Sequence, residues 1–141
     1  MISRFMRNQN PILIIEDNDV DVMLFRRALN EIGIANEAIH LSNGEEALEY
    51  LKKVDALPSM IFLDLNMPVM NGFEFLEERL SLIKLMRIPV IVFTSSNRES
   101  DRAKCFEMAI AGYMVKPSTF QEYLEMITVI DQYWTFSYTV D

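Results

Sequence analysis

The chain has 141 residues, half of them hydrophobic, and 21 acidic against 13 basic side chains give a formal charge of -8. That length suits one well-buried domain rather than two, and the hydrophobic share excludes a disordered chain. The acidic balance argues against nucleic acid as a partner, because its phosphates are repelled by such a surface.

Residues 1–10 are mildly basic, and no apolar signal segment follows before the Glu16-Asp17 pair, so they read as a short disordered lead. The first apolar run, Ile12-Leu13-Ile14-Ile15, stops abruptly at that acidic pair. Next comes a helical period in Val22, Phe25, Leu29 and Ile32, with Gly33 placed as a helix stop. A less uniformly apolar strand is expected over 37–41, with the only histidine, His40, half-exposed in it. Ser42 and Glu45 have capping-box spacing and open a second helix.

The second full run is Met60-Ile61-Phe62-Leu63, ending in Asp64. Asn71 with Glu74 marks the next helix start, and Phe73, Leu76, Leu80 and Ile83 recur at three- and four-residue steps. The third run, Val90-Ile91-Val92-Phe93, ends in Thr94-Ser95. Ser96 with Glu99 opens a helix that carries the lone Cys105, a thiol that rules out an internal disulfide and fits a reducing cytosol. A second weak strand over Gly112–Val115 ends in Lys116-Pro117. Ser118 with Gln121 then starts a helix patterned by Phe120, Leu124, Ile127 and Ile130, before an aromatic tail over 134–141. No run nears the ~20 apolar residues that cross a bilayer, so a soluble, cytoplasmic chain with no membrane partner is expected.

Strand and helix alternate five times. Continuous apolar runs belong to strands buried on both faces, and this order predicts an α/β fold with a doubly wound parallel sheet. In such a sheet the crevice lies beyond the carboxyl ends of the strands. Glu16, Asp17, Asp64, Thr94 and Lys116 stand at those ends. Three carboxylates placed together repel each other unless a cation intervenes, and an all-oxygen site with few ligands favours Mg²⁺. The charges of three carboxylates, one divalent ion and one ammonium then sum close to zero, leaving room for an incoming phosphoryl group. A carboxylate there is a competent nucleophile, with metal and lysine to stabilise the transferring oxygens.

The stretches Ile14-Ile15-Glu16-Asp17-Asn18, Leu63-Asp64-Leu65-Asn66-Met67-Pro68 with Asn71-Gly72, Phe93-Thr94-Ser95, and Tyr113 to Lys116-Pro117 resemble the motifs of bacterial response-regulator receiver domains. The resemblance covers residues 11–133. It implies the flavodoxin-like strand order 2-1-3-4-5 with helices on both faces. It further implies a single-domain regulator of a two-component phosphorelay, with Asp64 as phosphoacceptor and Mg²⁺ held by Glu16, Asp17, Asp64 and the backbone carbonyl of Asn66. Lys116 is implied to contact the phosphoryl group, across a cis bond to Pro117. Thr94 and Tyr113 are implied as the switch pair, the hydroxyl moving to the phosphoryl group and the ring turning inward behind it. The small Ser95 is implied to border phosphate access.

The expected partners are a sensor histidine kinase or phosphotransfer protein, then a downstream protein target or a second copy of the chain. The resemblance implies that phosphorylation changes the surface around the fourth helix, fifth strand and fifth helix. The 66–68 stretch and the aromatic Tyr133-Trp134 are most similar to regulators paired with bacterial phytochromes. Haloacid-dehalogenase phosphatases look similar at the nucleophile, but they need a second acid two residues on, where this chain has Asn66. A pseudo-receiver that binds without phosphorylation is disfavoured by the full residue set.

Overall fold

The computed structural model describes residues 4–137. The three apolar runs form β1 (Ile12–Ile15), β3 (Met60–Leu63) and β4 (Val90–Thr94), and the weaker ones form β2 (Ala38–Leu41) and β5 (Gly112–Val115). All five pair in parallel in the order β2-β1-β3-β4-β5. The three apolar strands lie in the middle and are buried throughout, whereas β2 and β5 form the half-covered edges.

Helices cover both faces. Alternate strand residues point to opposite sides, so Ile12, Ile14, Phe62, Ile91 and Phe93 meet α1 (Asp19–Ile32) and α6 (Phe120–Phe136) through Phe25, Leu29, Tyr123 and Ile127. Leu13, Ile15, Ile61, Leu63 and Val92 face the other way, towards α2 (Gly44–Lys53), α3 (Gly72–Leu80) and α5 (Glu99–Phe106). A single turn, α4 (Ile83–Met86), lies between α3 and β4 and was not expected from the sequence. Gly33 ends α1 in the left-handed conformation, with φ of 88°.

Several local expectations shift. The capping box at Asn71 and Glu74 forms as spaced, but α2 is capped by Asn43 with Glu46, and α6 by Thr119 with Glu122, each one residue later. At α5 no side chain caps the helix; Arg98 holds the cap position while the Ser96 hydroxyl bonds Asp101. The buried stripe of α3 is Phe75, Leu76 and Arg79, while Leu80 and Ile83 are exposed. Arg79 is 1 % exposed and donates to the carbonyl oxygens of Met108, Ile88 and Ala109. It thereby fills a core position that its charge disguised. Met108 is buried in the same core.

Residues 4–10 are not a disordered lead. Arg4 bridges to Ile34 and pairs with Asp131 of α6, and Met6 is fully buried. The Asn36 side chain accepts from the Met6 amide and donates to the carbonyl oxygens of Asn8 and Asn10, each at 2.7 Å. The chain is therefore tied down by long-range bonds that leave no local pattern. Residues 1–3 of the expected lead lie outside the described residues, as do 138–141 of the expected tail. Its beginning at 134 is corrected too, because α6 continues to Phe136 with Trp134 packed on the core.

Candidate phosphoryl site

The site is an extension of the sheet. Beyond the last strand residues, the backbone ladder continues through Glu16 N to Leu41 O at 3.0 Å, Asp64 N to Ile15 O at 3.0 Å and Lys116 N to Thr94 O at 2.8 Å. Glu16, Asp64 and Lys116 thus sit on hydrogen-bonded continuations of the sheet. Glu16, Asp17 and Asp64 each present a carboxylate oxygen, all within 4.8 Å of one another. Glu16 and Asp64 are buried and Asp17 is exposed, so the cluster opens on one side to solvent. Asn66 lies two residues beyond Asp64 and is exposed.

The two oxygens of Asp64 face different partners. Its Oδ1 accepts from the Leu65 amide at 2.8 Å, and its Oδ2 lies 3.7 Å from Lys116 Nζ. Behind it the chain is packed without slack. A Cβ on Gly72 would lie 2.4 Å from Asp64 O and 2.8 Å from Leu65 Cα, so only glycine fits there. Val69 in the same loop takes a φ of 67°, a strained conformation for a β-branched residue.

Lys116 makes its short contacts elsewhere, 2.7 Å to Glu16 Oε1 and 2.8 Å to Asp21 Oδ2. Burial alone lowers the pKa of this ammonium, but the bonds from Asp21 and Glu16 and the charge of Asp64 outweigh that and hold it above its ordinary value. Glu16 goes the other way for a carboxyl. Burial, reinforced by Asp64 and only partly offset by Lys116, pushes it up to about 8. A divalent cation at this cluster relieves that penalty, and the donor set, oxygens only and partly open to water, fits Mg²⁺.

Thr94 is fully buried at the end of β4, and its Oγ1 accepts from the Ser96 amide at 3.3 Å. Ser95 is exposed beside it. Tyr113 is half-buried on β5 and its hydroxyl donates to Ser96 O at 3.0 Å, tying ring and β4–α5 loop together. The bond to Pro117 is trans, as are all described peptide bonds, which corrects the cis expectation. The ordinary small preference of X–Pro bonds for trans, about 0.5–1 kcal/mol, is met here. His40 is half-buried, and its Nε2 donates to Glu16 O at 2.6 Å, supporting the site's backbone from the neighbouring strand.

Two residues of this cluster escaped sequence reasoning. Asp21 sits in the first turn of α1, just past the Asn18 cap and four residues beyond Asp17. Tyr123, buried at the start of α6, donates to Asp21 Oδ1 at 3.3 Å.

Fold and site define a flavodoxin-like α/β domain whose acidic, lysine-bearing crevice lies at the carboxyl rim of a parallel sheet. The chain belongs to the response regulator receiver domain family, which matches residues 12–128, and is a receiver domain of the two-component type. It is similar to the probable methanogenesis regulatory protein FilR2 of Methanothrix harundinacea, 32% identical over 127 residues, covering 87% of this chain and 82% of that one. Similarity to response regulator Rcp1 of Synechocystis reaches 31% over 134 residues, with 92% and 91% covered. The Mn(2+)-bound structure of Rcp1 superposes with a TM-score of 0.82 at 30% identity, covering 95% and 99% of the two chains. The phosphorylated cyanobacterial phytochrome response regulator RcpA gives a TM-score of 0.84 at 29% identity, covering 94% and 97%.

Proposed function

We propose that this chain is a Mg²⁺-dependent phosphoryl switch in which Asp64 takes a phosphoryl group from the phosphohistidine of a sensor kinase or phosphotransfer protein. The observation that carries the reading is the Asp64 carboxylate, whose Oδ2 faces the Lys116 ammonium at 3.7 Å beside two further acids. Asp64 Oδ2 forms the new P–O bond as the N–P bond of the donor breaks, and the leaving imidazole keeps the electron pair and takes a proton. Lys116 binds a phosphoryl oxygen. Glu16, Asp17, Asp64 and the Asn66 carbonyl hold the Mg²⁺, which supplies charge neutralisation at the transferring oxygens. The Mn²⁺ in Rcp1 supports a divalent cation here by likeness.

Phosphorylation adds charge and acceptor oxygens next to Thr94. The Thr94 hydroxyl leaves the Ser96 amide for the phosphoryl group, the loop follows, and Tyr113 turns into the space. This changes the surface of α5, β5 and α6, where a downstream protein or a second copy of the chain docks. Phosphorylation biases an existing equilibrium only as far as it favours one state. The chain catalyses its own phosphorylation and dephosphorylation, in the cytoplasm, and no reaction on an outside substrate. The likeness to RcpA favours a phytochrome-type sensor as the donor.

The test uses two variants. Asp64→Asn should accept no phosphoryl group from a phosphorylated kinase or from acetyl phosphate. Asp17→Asn should lower Mg²⁺ affinity by roughly tenfold or more, since Mg²⁺ rests on one or two carboxylates. Phosphorylation of the first variant, or unchanged metal affinity in the second, removes that residue from the site.

A further inference from the structure

Lys116 has three N–H donors. Glu16 Oε1 at 2.7 Å and Asp21 Oδ2 at 2.8 Å take two, while Asp64 Oδ2 at 3.7 Å is beyond hydrogen-bond reach. The ammonium is therefore held closer to Glu16 and Asp21 than to the proposed phosphoacceptor, and one of those two bonds comes from a helix residue. Asp21 is itself fixed from two sides. Its backbone amide donates to the Asn18 cap at 3.1 Å, and its second oxygen accepts from Tyr123 at 3.3 Å. Tyr123 is 2 % exposed and packs edge-on against Phe93, the residue before Thr94, at 5.6 Å between ring centres. One carboxylate thus joins the lysine after β5 to the first turn of α6.

We infer that Asp21 is a positioning residue that competes with the phosphoryl group for Lys116, so that it stabilises the unphosphorylated state and sets how readily the switch is thrown. The inference rests on the site reading above. In the phosphorylated state Lys116 exchanges its bond to Asp21 for a phosphoryl oxygen, and Asp21 remains with Tyr123. Removing the competitor raises the affinity for a phosphoryl group without adding any contact to it. The Lys116 and Asp21 side chains are 14% and 20% exposed, so the pair is partly screened. An ion pair of that kind shifts an equilibrium by roughly two- to fivefold.

Calorimetric titration of the full chain with beryllofluoride, a phosphoryl mimic, at saturating Mg²⁺ tests this. Wild type should bind one equivalent and Asp64→Asn none. Asp21→Asn, which keeps the size and the acceptor for Tyr123 but loses the charge, should bind two- to fivefold tighter. In a Lys116→Gln background the Asp21→Asn gain should vanish. If Asp21→Asn binds no tighter, or if its gain persists without Lys116, the positioning role is overturned while the site reading stands. If wild type itself takes no beryllofluoride, the site reading fails and this inference with it.

Discussion

Gly72→Ala sets two effects of opposite sign against each other. Gly72 opens α3, where alanine ordinarily adds up to about 1 kcal/mol by reducing the freedom of the unfolded chain. Against this, the new Cβ would lie 2.4 Å from Asp64 O and 2.8 Å from Leu65 Cα. Both are backbone atoms on the site loop, so neither can rotate away, and something must move by about 1 Å to restore van der Waals contact. Overpacking typically costs about 1–3 kcal/mol, and backbone on both sides places this case at the upper end. The clash wins, for a net loss of about 2 kcal/mol or a fall in Tm of roughly 5–8 °C. Urea and thermal unfolding should be run beside two controls. Gly112→Ala, whose Cβ meets only Ile91 at 3.9 Å, should stay within about 0.5 kcal/mol of wild type. Gly33→Ala, with φ of 88° and open space around it, should lose about 1 kcal/mol from backbone strain alone. A Gly72→Ala protein as stable as Gly112→Ala would falsify the claim that α3 is jammed against the Asp64 backbone.

Other consequences can be checked separately. Arg79→Met keeps the volume but strands three carbonyl oxygens, and unfolding in urea should show a loss of about 2–4 kcal/mol. Burial pushes the Cys105 thiol up to about 11, so iodoacetamide at pH 8 should label the native protein far more slowly than the urea-unfolded one; equal rates contradict the burial. Glu16, raised to about 8, binds its proton more tightly folded than unfolded, so its contribution to metal-free stability should be fully present below about pH 4.5 and decline as pH rises to about 8, a slope that Glu16→Gln should remove. Mg²⁺ must displace that proton, and calorimetry should show its affinity climbing with pH and levelling off above about 8; a flat profile contradicts the buried acid.

The central strands were legible because continuous apolar runs such as Ile12–Ile15 have only one comfortable place, the middle of a covered parallel sheet. The acids, hydroxyl and lysine at their ends could be read because topology alone brings strand ends together. What could not be read depends on contacts distant in sequence. Arg79 looks like a solvated residue until three carbonyls from separate segments converge on it, so the α3 period was assigned to Leu80 and Ile83 instead. The 4–10 stretch carries no pattern of its own and is ordered by Asn36 and Asp131. Cap positions slipped by a residue wherever two candidates were adjacent, as with Ser42 and Asn43 or Ser118 and Thr119. Asp21 looks like an ordinary first-turn helix acid, and only Lys116 and Tyr123 give it a further meaning.

Intact mass of the chain after incubation with acetyl phosphate, once with Mg²⁺ and once with EDTA, bears most directly on the phosphoryl site. The arrangement of Asp64, Lys116 and the acid cluster predicts a gain of one phosphoryl group with metal, none with EDTA, and none in Asp64→Asn under either condition. A gain that ignores the metal, or one that persists when Asp64 is replaced, contradicts it.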